Sequence, residues 1–129
     1  MHFELLFPSK YLKASDLQGR EIVFTICPDR GVKVEKIQRQ GGSKEPKPVM
    51  YFTECAARAK RTSEEEKSLI LNKTNAKTIA AMYGNDTDLW KGQRITLYPA
   101  KTTFGAERVD CLRVRDSIPA AKEVDNAQS

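Results

Sequence analysis

A chain of 129 residues with a formal net charge of +5, 40% hydrophobic and 30% charged residues, has the make-up of one globular domain, and burying about two-thirds of its unfolded surface gives a core that needs no disulfide. Its apolar stretches run only a few residues, too short for a membrane-spanning helix, and its first residues lack the basic and apolar regions of an export signal, so a cytoplasmic location is expected. The positive charge favours an anionic partner without identifying one.

Residues 1–20 place Leu5, Leu6, Phe7, Tyr11, Leu12 and Leu17 around Pro8, which reads as a lead-in segment packed on the domain. Glu21 to Cys27 is dense in β-branched and aromatic residues and ends at Pro28-Asp29-Arg30-Gly31, a strand followed by a turn. Val32 to Lys36 alternates apolar with charged, and Ile37 breaks the alternation, which predicts a second strand with a bulge or bend. Gly41 to Pro48 holds glycine, proline and charge but no large apolar residue, so it is expected as a loop, with a third strand from Pro48 to Glu54.

From Ala56 to Ser68 the chain turns polar, Arg58, Lys60 and Arg61 preceding Glu64-Glu65-Glu66. That sign change suits short helical salt bridges or a solvated loop. Leu69-Ile70-Leu71 leads to Thr74 or Asn75 as the cap of a helix over Ala76 to Tyr83, where Ala76, Ile79, Ala80 and Tyr83 share one face and Gly84-Asn85 is the stop. Arg94 to Tyr98 and Arg108 to Arg115 alternate on either side of a turn near Phe104-Gly105, which predicts a closing hairpin.

Three strands, a short helix and two strands predict a mainly β domain over residues 1–116, and a five-stranded antiparallel barrel of the oligonucleotide-binding (OB) type places its helix between strands three and four. An SH3-like barrel or an open meander with a helix fits the same order. Residues 117–129 have little to anchor them and are expected to be disordered.

Catalytic signatures are scarce: there is one histidine, His2, and no glycine-rich phosphate loop or serine elbow. No enzyme activity and no cofactor are expected. Cys27, Cys55 and Cys111 are odd in number and widely spaced, which suits buried thiols better than a disulfide framework or a zinc site. Asn85-Asp86-Thr87-Asp88 has two carboxylates at metal-like spacing, but it reads as turn and helix-cap chemistry.

A candidate binding surface emerges from the hairpin. Alternation sets Arg94, Thr96 and Tyr98 on one side of their strand, against Ile95 and Leu97, and sets Arg113 and Arg115 opposite Leu112 and Val114 on the next. Arginines beside an aromatic ring suit a single-stranded nucleic acid, since cations follow phosphates and rings stack on bases. Lys33 and Lys36, Trp90 and Lys91, and Lys101 and Phe104 are expected to extend it. The competing reading is a solvated basic face with Trp90 and Tyr98 packed in the core.

Leu71-Asn72-Lys73-Thr74-Asn75-Ala76, Tyr83-Gly84, Asp86-Thr87-Asp88, Trp90-Lys91-Gly92, Ile95-Thr96-Leu97-Tyr98-Pro99, Phe104-Gly105 and Val109-Asp110 to Arg113-Val114-Arg115 together resemble a group of small phage and prophage proteins. Phe7-Pro8-Ser9-Lys10-Tyr11-Leu12-Lys13-Ala14 resembles the start of that group. The resemblance implies a viral origin, a host-cell cytoplasmic location, an OB-like fold and, as partner, single-stranded DNA in replication or recombination. It carries over no catalytic residue. The strongly acidic tail with which many single-strand binders recruit partners is not matched by Asp116 to Ser129. A host or phage protein is the alternative partner, and a homo-oligomer is compatible with either.

Overall fold

The computed structural model describes residues 10–38 and 42–119; the beginning of the lead-in, residues 39–41 of the expected loop and the tail from residue 120 lie outside them. The fold is mainly β, with two three-stranded sheets and two α-helices. Strand β1 (Ile22–Thr25), strand β5 (Arg94–Phe104) and strand β6 (Glu107–Val114) form the antiparallel sheet β1-β5-β6. Strand β2 (Val32–Gln38), strand β3 (Lys44–Met50) and the two-residue strand β4 (Leu69–Ile70) form the sheet β2-β3-β4. Helix α1 (Thr53–Thr62) joins β3 to β4, and helix α2 (Lys73–Tyr83) leads through a 3-10 turn at Thr87–Trp90 into β5.

The expected closing hairpin is present, turning through Gly105 at φ +65°, where a glycine carries no Cβ penalty. Its period-two pattern sends Ile95, Leu97, Leu112 and Val114 into one core with Leu17, Phe24, Ile26, Met50, Phe52, Leu69, Leu71, Ile79 and Trp90. Each fully buried Leu or Ile contributes about 1.5–3 kcal/mol by leaving water. Phe24 of β1 and Phe52, just after β3, stack with ring centroids 4.8 Å apart.

The predicted helix over Ala76 to Tyr83 begins three residues earlier, because the Asn72 carboxamide oxygen accepts the Asn75 amide at 2.8 Å and makes Asn72 the cap. It ends as expected at Gly84, whose φ is +107°. Helix α1 occupies the segment for which a solvated loop was as good a reading. It buries no residue fully and rests its half-buried Cys55, Ala56 and Ala59 on the body of the fold, a stripe made of small residues among charges, with no Leu, Ile or Phe to mark it as a core face.

Strand three departs further from expectation: it runs Lys44–Met50 rather than Pro48 to Glu54, and takes in most of the expected loop. The Tyr51 amide donates to the Gly31 carbonyl at 3.0 Å, which fixes the phase of the ladder. Val49, Lys47 and Glu45 then bond with β2, while Pro48 and Pro46 stand opposite Val34 and Lys36 in the pairs that exchange no backbone bonds. The prolines occupy the positions where a missing N–H costs the β2–β3 ladder nothing.

The sheets meet where Ile26 bridges to Phe52 and the Cys27 amide donates to the Tyr51 carbonyl at 2.8 Å. The chain at Lys10 to Leu12 lies alongside Ser68 through two backbone bonds. Among the described residues the ladders do not run unbroken around a barrel. Between β6 and the segment holding β4 and Tyr11 to Ser15 lies a cavity of about 430 Å³, and Asn75 stands at this gap. Buried there, its Nδ2 donates to the Leu112 carbonyl at 3.0 Å and its Oδ1 accepts the Val114 amide at 3.3 Å, closing the outer edge of β6 as a neighbouring strand would.

Candidate nucleic-acid interface

The outward face of the β1-β5-β6 sheet is set by strand alternation. Arg94, Thr96 and Tyr98 lie half-buried on the side opposite the fully buried Ile95 and Leu97. Val23 of β1, in register with Thr96, extends this face on one side, and Arg113 of β6, in register with Tyr98, extends it on the other. Arg115 continues the β6 ladder by donating its amide to the Thr96 carbonyl at 2.9 Å.

At its centre the Arg115 guanidinium lies over the Tyr98 ring, 3.8 Å from the centroid, a cation–π stack. The same guanidinium grips Glu21 with both ends of its fork, Nε to Oε1 at 3.3 Å and Nη2 to Oε2 at 2.5 Å. That hydrogen bond is the main reason the Glu21 carboxyl titrates below its ordinary value of 4.5, and it raises the Arg115 guanidinium in turn. Arg113 directs its Nη1 back to the carbonyl of Leu112 at 3.3 Å, the carbonyl on the outer edge of β6 that Asn75 also holds.

Arg94, Tyr98, Arg113 and Arg115 are therefore brought onto one sheet face, while the other expected residues are not. Trp90 is 3% exposed, and its Nε1 donates to the Gly84 carbonyl at 2.8 Å. It is a core residue with its one donor satisfied, and no base can stack on it. Lys101 stands opposite Asp110 and pairs with it at 2.5 Å, on the side of the hairpin away from Tyr98. Phe104 ends β5 opposite Glu107. Lys91 lays its stem on Gly31, whose hydrogen in place of a Cβ leaves room for it, and its Nζ lies 3.6 Å from Asp88. Lys33 and Lys36 are exposed on β2, in the other sheet.

A second cluster of the same type escaped sequence reasoning. Arg30, in the turn after β1, lies over the Tyr51 ring at 4.4 Å from its centroid and forks onto Glu66 at 3.2 and 2.5 Å. Burial opposes the charge, but the Glu66 hydrogen bond outweighs it and raises the guanidinium. Arg30 carried only a turn signal, and nothing in the sequence links it to a residue 36 positions away.

The remaining polar groups have structural explanations. Asp86 accepts the Asp88 amide at 3.0 Å as the cap of the 3-10 turn, the role expected of that acidic cluster. All three cysteines are free, but only Cys27 is fully buried; Cys55 and Cys111 are half-buried. Burial, aided by Glu54 and Glu66, pushes the Cys55 thiol up to about 11, so it is un-ionised at neutral pH. Among the described residues no three His, Cys, Asp or Glu side chains converge as metal ligands, and no helix is long and apolar enough to cross a membrane. No family model, curated protein or solved structure matches the chain.

Proposed function

We propose that this chain is a non-sequence-specific single-stranded DNA-binding protein of phage replication or recombination, acting in the host cytoplasm. The observation that carries the reading is the Tyr98, Arg113 and Arg115 cluster on an outward sheet face. An arginine stacked on a tyrosine presents a flat, cationic surface on which bases of any sequence can stack, with Arg113 beside it for phosphates. An OB-type scaffold is supported by the order of the longer elements, three strands before α1 and the β5–β6 hairpin after α2 with only the two-residue β4 between the helices, and by the Ile26–Phe52 bridge that joins the chain just after β1 to the chain just after β3. The resemblance to small phage proteins supports the setting.

Fluorescence anisotropy of labelled single-stranded and duplex oligonucleotides at about 50 and 200 mM salt tests the reading. Single strands are expected to bind more tightly, with affinity falling steeply as salt rises. Tyr98→Ala should cost about 5- to 30-fold, the worth of one or two kcal/mol of stacking. Arg113→Ala should weaken binding uniformly and flatten the salt slope by about one charge. Glu21→Gln should tighten binding, since it releases Arg115 from its carboxylate. Because the folded-state Glu21 carboxyl is depressed, its ion pair is present above the ordinary carboxylate range and is lost only as pH falls through the depressed value. The Glu21 contribution is therefore flat from about pH 8 down to about pH 5. No binding at low salt, or binding indifferent to Tyr98 and Arg113, overturns the proposal. Nuclease-resistant capture of one host or phage protein would then favour an interaction module.

A further inference from the structure

β2 lies at the outside of its sheet, and among the described residues it pairs with β3 alone. The Tyr51 amide bound to the Gly31 carbonyl sets its phase: Lys33, Glu35 and Ile37 turn their backbone groups toward β3, whereas Val32, Val34 and Lys36 turn theirs outward. Those N–H and C=O groups form a template for another strand. β3 is protected on its own outer side by Pro46 and Pro48, which have no N–H to offer, but β2 contains no proline. Val34, at 72% exposed, is the most exposed large hydrophobic residue of the described chain.

We propose that a second copy of this chain occupies this edge, the two β2 strands pairing antiparallel about a two-fold axis at Val34 to give a continuous β3-β2-β2-β3 ribbon. The charge pattern argues for both the occupant and the register. An axis at Lys33, Glu35 or Lys36 sets each of these charges against its own copy. The axis at Val34 sets Val34 against Val34, as a pair exchanging backbone bonds, and sets Lys33 against Glu35 of the second copy twice, at the close spacing of a pair that exchanges none. The outward phase of Val34 required by that register is the one the Tyr51–Gly31 bond imposes. The inference does not depend on nucleic-acid binding.

Sedimentation velocity on the full chain, from roughly 1 to 500 μM at low salt, tests it. Mass is expected to rise with concentration from 14.6 kDa toward twice that value. Lys33→Glu and Glu35→Lys should each weaken association about 10-fold or more, because two facing pairs turn repulsive together, and the double variant should restore it. Val34→Pro should abolish the dimer while leaving the β2–β3 bonds in place, since the Val34 amide points outward; circular dichroism checks that it folds. A monomer at every concentration overturns the proposal. So does a dimer unmoved by the single charge reversals, or a folded double variant that fails to recover.

Discussion

The β1-β5-β6 sheet and the β2–β3 ribbon are built from the same alternating pattern, yet their margins are finished differently. In the first, a side chain from the opening turn of each helix closes one edge. Asn75 of α2 bonds the carbonyl and amide that β6 turns outward, and Glu54 of α1 accepts both the Thr25 amide and its hydroxyl, each at 2.7 Å, on the outer side of β1. The ribbon has proline on one margin and an open backbone on the other. The difference separates a platform held rigid from both sides from an arm free to take a partner, and the arginine–tyrosine cluster sits on the platform.

Asn75→Ala should have the largest effect, leaving the Leu112 carbonyl and Val114 amide unsatisfied where water has little access. About 2–4 kcal/mol is expected, seen as a lower urea midpoint with an unchanged slope. A loss below about 1 kcal/mol would mean that the cavity beside Asn75 lets water take its place. Glu54→Ala acts at an exposed edge where water can replace the carboxylate, and should cost about 1 kcal/mol by the same measurement. Val34→Thr, on the free margin of the ribbon, should shift stability by no more than about 0.5 kcal/mol when measured at a concentration where the chain is monomeric. If that order were reversed, the distinction between platform and arm would fail.

What was legible in the sequence follows the same division. The hairpin could be read because Ile95, Leu97, Leu112 and Val114 alternate strictly, and that alternation also placed Arg94, Tyr98, Arg113 and Arg115 on one face. Helix α2 could be read because Ile79 and its neighbours form a buried stripe. Helix α1 buries nothing completely, and its inner face is made of Cys and Ala within a strongly charged segment, which reads as polar rather than as a core-facing helix. Pro46 and Pro48 looked like loop punctuation because composition does not reveal ladder phase, and phase is what makes them tolerable within β3. Trp90 and Tyr98 are equally aromatic on paper. Only the fold shows that Trp90 reaches back to the Gly84 carbonyl while Tyr98 meets Arg115. The Glu21 and Glu66 partners of Arg115 and Arg30 were invisible because contacts spanning 94 and 36 positions leave no local signature.

The side-chain closures also bear on how the backbone breathes. A strand at the margin of a three-stranded sheet ordinarily exposes every second amide to solvent, and those hydrogens exchange with deuterium quickly. Here the Val114 amide is held by Asn75 and the Thr25 amide by Glu54, so each is released only when a helix end lifts away. Protection at these two edge positions is then set by the docking of α1 and α2, and each amide exchanges as if a further strand lay beside it.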